Sequence, residues 1–141
     1  MSGPGVGPAA AAAVANGLLA GLNAGTNPSV LQIYGGAQPA AGLPGAGPLI
    51  CEVELQRPAG VVSGGALQLA IDGAGGVAAV AATPTWARLL DGAGAWFLDL
   101  RARLSVEAED PLDPQPVVVH ASAVDVGALL RVTAGALSVL G

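Results

Sequence analysis

The sequence predicts an all-β protein, an antiparallel jelly roll or β-sandwich preceded by one short Ala-rich helix. Two observations indicate this class. Short segments alternate between apolar and polar residues, and Gly- or Pro-rich turns separate them at roughly ten-residue spacing. No helical pattern lies between successive strands, so a parallel α/β sheet is not expected. The chain has 141 residues, which suits one domain of ordinary size.

The N-terminal part consists of an arm and a helix. Residues 1–8 are rich in Gly and Pro, so we expect a flexible arm that becomes ordered only in an assembly. Residues 9–23 are rich in Ala, and Pro8 suits a first helical turn. Apolar residues recur there at helical spacing: Val14, Leu18, Leu19 and Leu22. We therefore divide the chain into an arm-and-helix segment, 1–25, and a β domain, 26–141.

Alternation and turn residues predict about nine strands. We expect them at Val30–Tyr34, Leu49–Leu55, Ala66–Ile71, Gly76–Ala82, Trp86–Leu90, Ala95–Arg101, Val117–His120, Leu129–Thr133 and Ala136–Leu140. In the second strand the residues predicted to face the core are Leu49, Cys51, Val53 and Leu55, and those predicted to face outward are Ile50, Glu52 and Glu54. Cys51 is the only cysteine. Its place in the alternation makes it a small core residue rather than a nucleophile.

The segment 85–103 predicts a β-hairpin around the turn Asp91-Gly92-Ala93-Gly94. We expect Leu90 to pair with Ala95. That register makes one face apolar, with Leu89 opposite Trp96 and Ala87 opposite Leu98. The other face then mixes aromatic and charged groups, with Trp86 opposite Asp99 and Arg88 opposite Phe97. We expect Leu89, Trp96, Leu98 and Leu100 to be buried together.

Charge and composition disfavour several classes of function. The chain has five Arg, no Lys and a net charge of -5, so we expect neither nucleic acid nor a membrane surface as a partner. With one Cys and one His, His120, a conventional zinc site is not expected. Asp110 and Asp113 lie in a Pro-rich acidic loop, and residues 73–76 predict a hairpin turn rather than a phosphate loop. We therefore expect no enzyme and no cofactor.

The mixed face of the hairpin is the candidate functional surface. An outward Trp86 and Phe97, ringed by Arg88, Asp99 and Arg101, have the aromatic and Arg composition of a protein interface. The alternative is that the N-terminal helix or a second sheet covers this face.

One segment resembles a known family. Residues 83–94 (TPTWARLLDGAG) are similar to a pattern in small structural proteins of tailed phages, in which a Thr-rich entry leads to Trp-x-Arg, an aliphatic pair and an Asp-Gly turn. The helical start, Ile33-Tyr34 before a Gly/Pro loop, and the Ala66–Leu69 strand extend the likeness. The chain thus resembles the jelly-roll cement, or decoration, proteins of Bordetella-type podophage capsids.

The resemblance implies a structural protein of the virion. It implies that the chain lies on the capsid exterior, binds an HK97-like major capsid protein and stabilises the shell. Self-association as a homodimer would allow one unit to bridge two capsid subunits. An alternative from another class is a carbohydrate-binding jelly roll or tail-associated adhesin, with Trp86 and Phe97 as sugar platforms.

Overall fold

The computed structural model describes residues 7–40, 42–45, 47–63, 65–71, 76–108 and 115–134. The described part is mostly β with one short helix, which confirms the predicted class at that level. In chain order the elements are α1 (Pro8–Leu22), β1 (Val30–Tyr34), β2 (Leu49–Ser63), β3 (Ala66–Ile71), β4 (Gly76–Val77), β5 (Trp86–Leu90), β6 (Trp96–Leu104), β7 (Val117–His120) and β8 (Leu129–Ala134).

Some predicted features lie outside the described residues. They are residues 1–6 of the arm, the start of the 73–76 turn, Asp110 and Asp113 in the acidic loop, and the strand 136–140. Among the described elements, β1, β3, β5 and β7 have the predicted bounds. The strand predicted over Gly76–Ala82 is confined to two residues, and β2 continues eight residues past the expected Leu55, to Ser63.

The strands form one eight-stranded sheet in the order β3-β2-β1-β5-β6-β7-β8-β4. All neighbouring pairs are antiparallel except β6 and β7, which run parallel with Ala102 level with Val117. The expectation of a purely antiparallel arrangement is therefore corrected. A parallel pair cannot be joined by a tight hairpin, so β6 and β7 are neighbours in the sheet without forming a hairpin.

The sheet curls until its two ends approach each other. The backbone N–H of Ala79, just after β4, donates to the Ile50 carbonyl of β2 at 2.7 Å. The Gln68 amide of β3 donates to the Ala134 carbonyl of β8 at 2.8 Å. The curl encloses an aliphatic core in which Leu31, Val53 and Leu89 are fully buried.

Helix α1 packs against β2 and β3. Pro8 occupies its first turn as expected, and the helix buries Ala15 and Leu22. Arg57 in β2 fastens the turn after the helix, because its guanidinium donates to the carbonyls of Asn23, Gly25 and Asn27 at 2.7–3.0 Å. These bonds satisfy carbonyls that the helix end and the turn leave unpaired.

Cys51 lies in the core as the alternation predicts, with Val53 and Leu55 buried on the same face and Glu52 and Glu54 exposed. Burial, assisted by the nearby charge of Glu52, raises the pKa of the Cys51 thiol to about 11. The thiol is therefore protonated at neutral pH, and a thiolate is the form that nucleophilic chemistry requires.

Two β-bulges change which side chains face the core. In β2 the register passes from Cys51 to Leu49, and the extra residue Ile50 is fully buried although the alternation predicts an outward position. In β6 the register passes from Leu98 to Trp96, and Phe97 is the extra residue. A bulge inserts one unpaired residue and re-aims the side chains around it. Phe97 consequently packs on the core, and Trp96 is 47% exposed.

Candidate functional site

The β5–β6 hairpin forms with a register different from the predicted one. The turn is confirmed: the Asp91 carboxylate accepts from the N–H groups of Ala93 and Ala95 at 2.9 and 3.0 Å. Leu90, however, lies opposite Trp96 instead of Ala95. Beyond the bulge the offset is two residues, so Leu89 faces Leu98, Ala87 faces Leu100, Arg88 faces Asp99 and Trp86 faces Arg101. A shift of two keeps each residue on its face, which is why the mixed face retains most of its predicted members.

The outer face of this hairpin and of β1 holds a cluster of aromatic and charged side chains, which we call the outer-face cluster: Tyr34, Trp86, Arg88, Trp96 and Asp99. The described residues of the segment between β1 and β2 (35–40, 42–45, 47 and 48) lie over it, and we call them the covering loop. Its described residues reach Trp86, Arg88 and Asp99.

The covering loop buries Trp86 completely. Gly45 crosses the indole so closely that a Cβ there would lie 2.5 Å from Trp86 Cζ2. The Tyr34 ring stacks on the indole with a centroid separation of 4.3 Å and an interplanar angle of 10°. The Arg88 guanidinium lies 5.2 Å from the centroid, within the range of a cation–π contact. The Trp86 Nε1 is buried and has no hydrogen-bond partner among the described residues.

Arg88 and Asp99 form a bidentate ion pair across the two strands. Arg88 Nε and Nη2 donate to the Asp99 carboxylate at 2.8 and 3.2 Å, and both side chains are largely shielded from solvent. The hydrogen bond to Asp99 raises the pKa of Arg88 above its usual value. Arg88 Nη2 also donates to the Leu43 carbonyl at 2.7 Å. One guanidinium thus connects the hairpin to the covering loop.

Asp99 collects further donors. Trp96 Nε1 donates to it at 3.1 Å, and the Gly42 N–H of the covering loop also donates to the carboxylate. Burial alone would raise the pKa of Asp99, but the hydrogen bonds and charge of Arg88, with those two further donors, hold that pKa below its usual value. Each donor stabilises the ionised form. The carboxylate is therefore ionised at neutral pH and serves as a fixed acceptor.

Trp96 is the exposed member of the cluster. Its ring lies beside Gly42, where a Cβ would be 3.1 Å from Trp96 Cζ3. The next loop residue, Leu43, is 55% exposed. Trp96 and Leu43 are thus two exposed apolar residues that both adjoin Gly42, and we call them the Trp96–Leu43 patch. Arg88 binds the Leu43 carbonyl and Asp99 binds the Trp96 indole.

The predicted interface residues fall into two groups. Arg88, Asp99 and Trp86 come together as expected, but Trp86 is buried, so the prediction that it faces solvent is wrong. Phe97 lies on the opposite face against α1, where a Cβ at Gly21 would be 2.7 Å from its ring. The reason is the β6 bulge. Among the residues that the structure describes, the Gly/Pro loop covers Trp86, in place of the helix or second sheet considered above.

Arg101, the fifth predicted residue, is half-buried and donates to the Gln38 side chain of the covering loop at 3.3 Å. It contributes to holding the loop. The pattern of residues missed Tyr34 as a stacking partner and Trp96 as the exposed aromatic. The alternation of apolar and polar residues does not reveal where a bulge occurs. The sequence indicates the loop's position only through its several glycines, which allow the backbone to approach a ring closely.

The remaining groups considered from the sequence are His120, a possible metal site and a possible membrane-spanning helix. His120 ends β7 as predicted, and its Nε2 shares a hydrogen bond of 2.7 Å with the Thr133 hydroxyl. Within the described ranges, three or more His, Cys, Asp or Glu residues do not come together in an arrangement that could hold a metal ion. The one described helix is too short to cross a membrane.

Comparison with known proteins found no family model, no curated protein and no solved structure that matches this chain.

Proposed function

We propose that this chain is a capsid cement protein that binds the exterior of a phage shell through exposed apolar side chains on a rigid β scaffold. The observation that carries the proposal is the Trp96–Leu43 patch. An aromatic side chain that is 47% exposed and held by a hydrogen bond to Asp99 is pre-organised for contact. Aromatic anchors of this kind dominate the binding energy of protein interfaces.

The resemblance of residues 83–94 to cement proteins implies that the partner is the major capsid protein. It also implies that the chain binds on the exterior of the virion. A cement protein needs adhesive surfaces rather than catalysis, and repetition over a symmetric shell multiplies weak contacts. In this proposal the chain is not an enzyme, and a jelly-roll arrangement of its strands and a homodimer that bridges two capsid subunits stay predictions.

The test is binding to heads of the phage that encodes the chain. We expect heads stripped of the protein to bind it when it is added back, and to withstand higher temperature once it is bound. The double variant Trp96→Ala, Leu43→Ser should reduce occupancy on heads while the domain stays folded, because both side chains are exposed.

The matched control is Val61→Ser, which removes an equally exposed apolar side chain, 63% accessible, from the far half of β2. It should bind like the parent chain. Heads that neither contain the chain nor bind it would rule out the cement function.

A carbohydrate-binding adhesin is the second candidate, and Trp96 is also the observation that favours it. Its indole is fixed in orientation by Asp99 and presents an open face, as a sugar platform does. Trp86 and Phe97 cannot serve as platforms, because the loop buries Trp86 and Phe97 packs against the helix. Glycan-array binding that Trp96→Ala abolishes, together with no affinity for heads, would establish this function instead.

A further inference from the structure

The outer surface of β2, β4, β8 and β7 carries three kinds of exposed side chain in sequence across the strands. Acidic residues project from β2, aliphatic residues from β4 and β8, and basic residues from β8 and β7. In that order they are Glu52 and Glu54, then Val77 and Leu129, then Arg131 and His120. Val77 and Leu129 are 61% and 70% exposed, so both aliphatic side chains are open to contact.

Backbone pairing fixes the basic half of this arrangement. Val77 is the register partner of Leu129 between β4 and β8. His120 is the register partner of Arg131 between β7 and β8. Arg131 follows Leu129 by two residues and therefore projects from the same face. The aliphatic pair and the basic pair are thus neighbours.

The closure of the curled sheet fixes the acidic half. Ala79 donates to the Ile50 carbonyl at 2.7 Å, and a Cβ at Gly76 would lie 2.8 Å from the Glu52 carbonyl. Strand β4 therefore runs beside β2 as well as β8. Glu52 lies beside Val77 at about the same height along the strands. Glu54, two residues further along β2 on the same face, lies at about the height of Arg131. The described part of this surface therefore runs from the carboxylates of β2 to the Arg131 guanidinium and the His120 imidazole.

We infer that this surface binds a second copy of the chain about a two-fold axis that runs parallel to the strands, between β4 and β8. Rotation about that axis exchanges the two sides of the surface. It places Val77 of one copy over Leu129 of the other. It also brings Glu54 of each copy to the His120 and Arg131 side of its neighbour.

Self-complementarity is what selects a second copy as the occupant. A two-fold interface uses the same patch twice, so each group must find its complement on the opposite side of the axis. Here acid lies opposite base, and aliphatic lies opposite aliphatic. A planar Arg fork pairs well with a carboxylate, and charges at the edge of an apolar contact fix its register.

This inference deepens the self-association part of the proposed function and rests on it, but it does not require a shell. It also leaves the Trp96–Leu43 patch, formed by the β5–β6 hairpin and the covering loop, outside the contact. A dimer formed in this way would present that patch twice, one copy for each of two shell subunits.

The test is the association state of the full chain by sedimentation equilibrium at low ionic strength. We expect the parent chain to be a dimer and Val77→Glu to be a monomer. The control, Val61→Glu, places the same charge on an equally exposed Val near the C-terminal end of β2, away from Glu52 and Glu54. This variant should remain a dimer. Circular dichroism should show the same fold in all three. A monomeric parent chain, or equal association of the two Val variants, would overturn the inference.

Charge exchange tests the orientation. Glu54→Arg and Arg131→Glu should each raise the dissociation constant by about tenfold or more, because like charges then oppose each other across the axis. The double variant restores opposite charges and should recover most of the affinity. A double variant weaker than both single variants would contradict the two-fold arrangement. A chain that dimerises as described but fails to bind heads would sink only the cement function, and a monomer that binds heads would sink only the dimer.

Discussion

Asp99 is the residue on which the outer-face cluster depends. It accepts hydrogen bonds from the Arg88 guanidinium, the Trp96 indole and the Gly42 backbone. Since these donors belong to β5, β6 and the covering loop, one carboxylate joins three parts of the chain. Removing its charge leaves a shielded guanidinium without its counterion, which is costly.

We expect Asp99→Asn to lower the free energy of unfolding at neutral pH by about 1–3 kcal/mol. Urea unfolding of both chains measures the difference. The pH dependence identifies the cause. The pKa of Asp99 is lowered in the folded state, so its contribution is present above the unfolded value of about 3.9 and is lost as the pH falls through that value towards the folded pKa.

In acid the parent chain should therefore lose the stability that Asp99→Asn already lacks, and the two unfolding curves should converge. A difference between the chains that stays constant from neutral pH to acid would show that the ion pair is not its source.

The two tryptophans provide a second comparison at the residue scale. Trp86→Ala removes a fully buried indole and should cost about 3–5 kcal/mol of unfolding free energy. Trp96→Ala removes a half-exposed one and should cost about 1 kcal/mol or less. Thermal unfolding of both variants measures this order. The reverse order would mean that the β6 bulge is misplaced and that Trp96, as simple alternation suggests, faces the core.

At the scale of the element, α1 contains a matched pair of glycines. Gly17 faces open space, whereas a Cβ at Gly21 would meet the Phe97 ring at 2.7 Å. Gly17→Ala should stabilise the protein by about 0.5–1 kcal/mol, because Ala restricts the unfolded chain and suits a helix. Gly21→Ala should give no such gain, because the ring must move. Equal stabilisation by both would show that α1 does not pack on β6 through Phe97.

The sequence predicts strand bounds and faces correctly where alternation is unbroken. The predicted faces are wrong where a bulge interrupts the alternation. β1, β3, β5 and β7 have the expected bounds, because a half-buried strand imposes a period of two on its side chains. Ile50, Trp96 and Phe97 were assigned to the wrong faces because each sits at or beside a bulge, which inserts a residue without any residue type that marks it. The error is local, since the pattern resumes beyond each bulge.

The covering loop was not predictable as part of the site. A Gly/Pro segment has no periodicity, and its position over Trp86 depends on partners that are distant in sequence. Arg88 to Leu43, Arg101 to Gln38 and Gly45 on the indole are all contacts between the loop and the hairpin. The residue types of the cluster could be identified from the sequence, but what covers them could not.

At the scale of the whole molecule, the strand order is what positions both proposed surfaces. β1 lies between β2 and β5, so the covering loop that leaves β1 falls directly over the hairpin. The curl then brings β4 beside β2, and exposed charges of opposite sign come to lie on one continuous surface. The adhesive patch and the self-complementary surface therefore arise from separate parts of the same sheet.

The strand order also determines how quickly the chain can find this arrangement. Val30 of β1 pairs with Leu90 of β5, and Gly76 of β4 pairs with Leu130 of β8. Segments that are distant in sequence must therefore meet before most of the sheet has formed. The chain loses loop-closure entropy before the strand contacts stabilise it, and this slows folding. We expect folding in milliseconds to seconds, measured by stopped-flow Trp fluorescence, and a microsecond phase that accounted for the whole change would contradict this. Until β4 reaches β2, residues 49–54 have only β1 as a strand neighbour and form an open edge. The Glu52 and Glu54 carboxylates on that edge protect the unfinished sheet from pairing with the wrong strand.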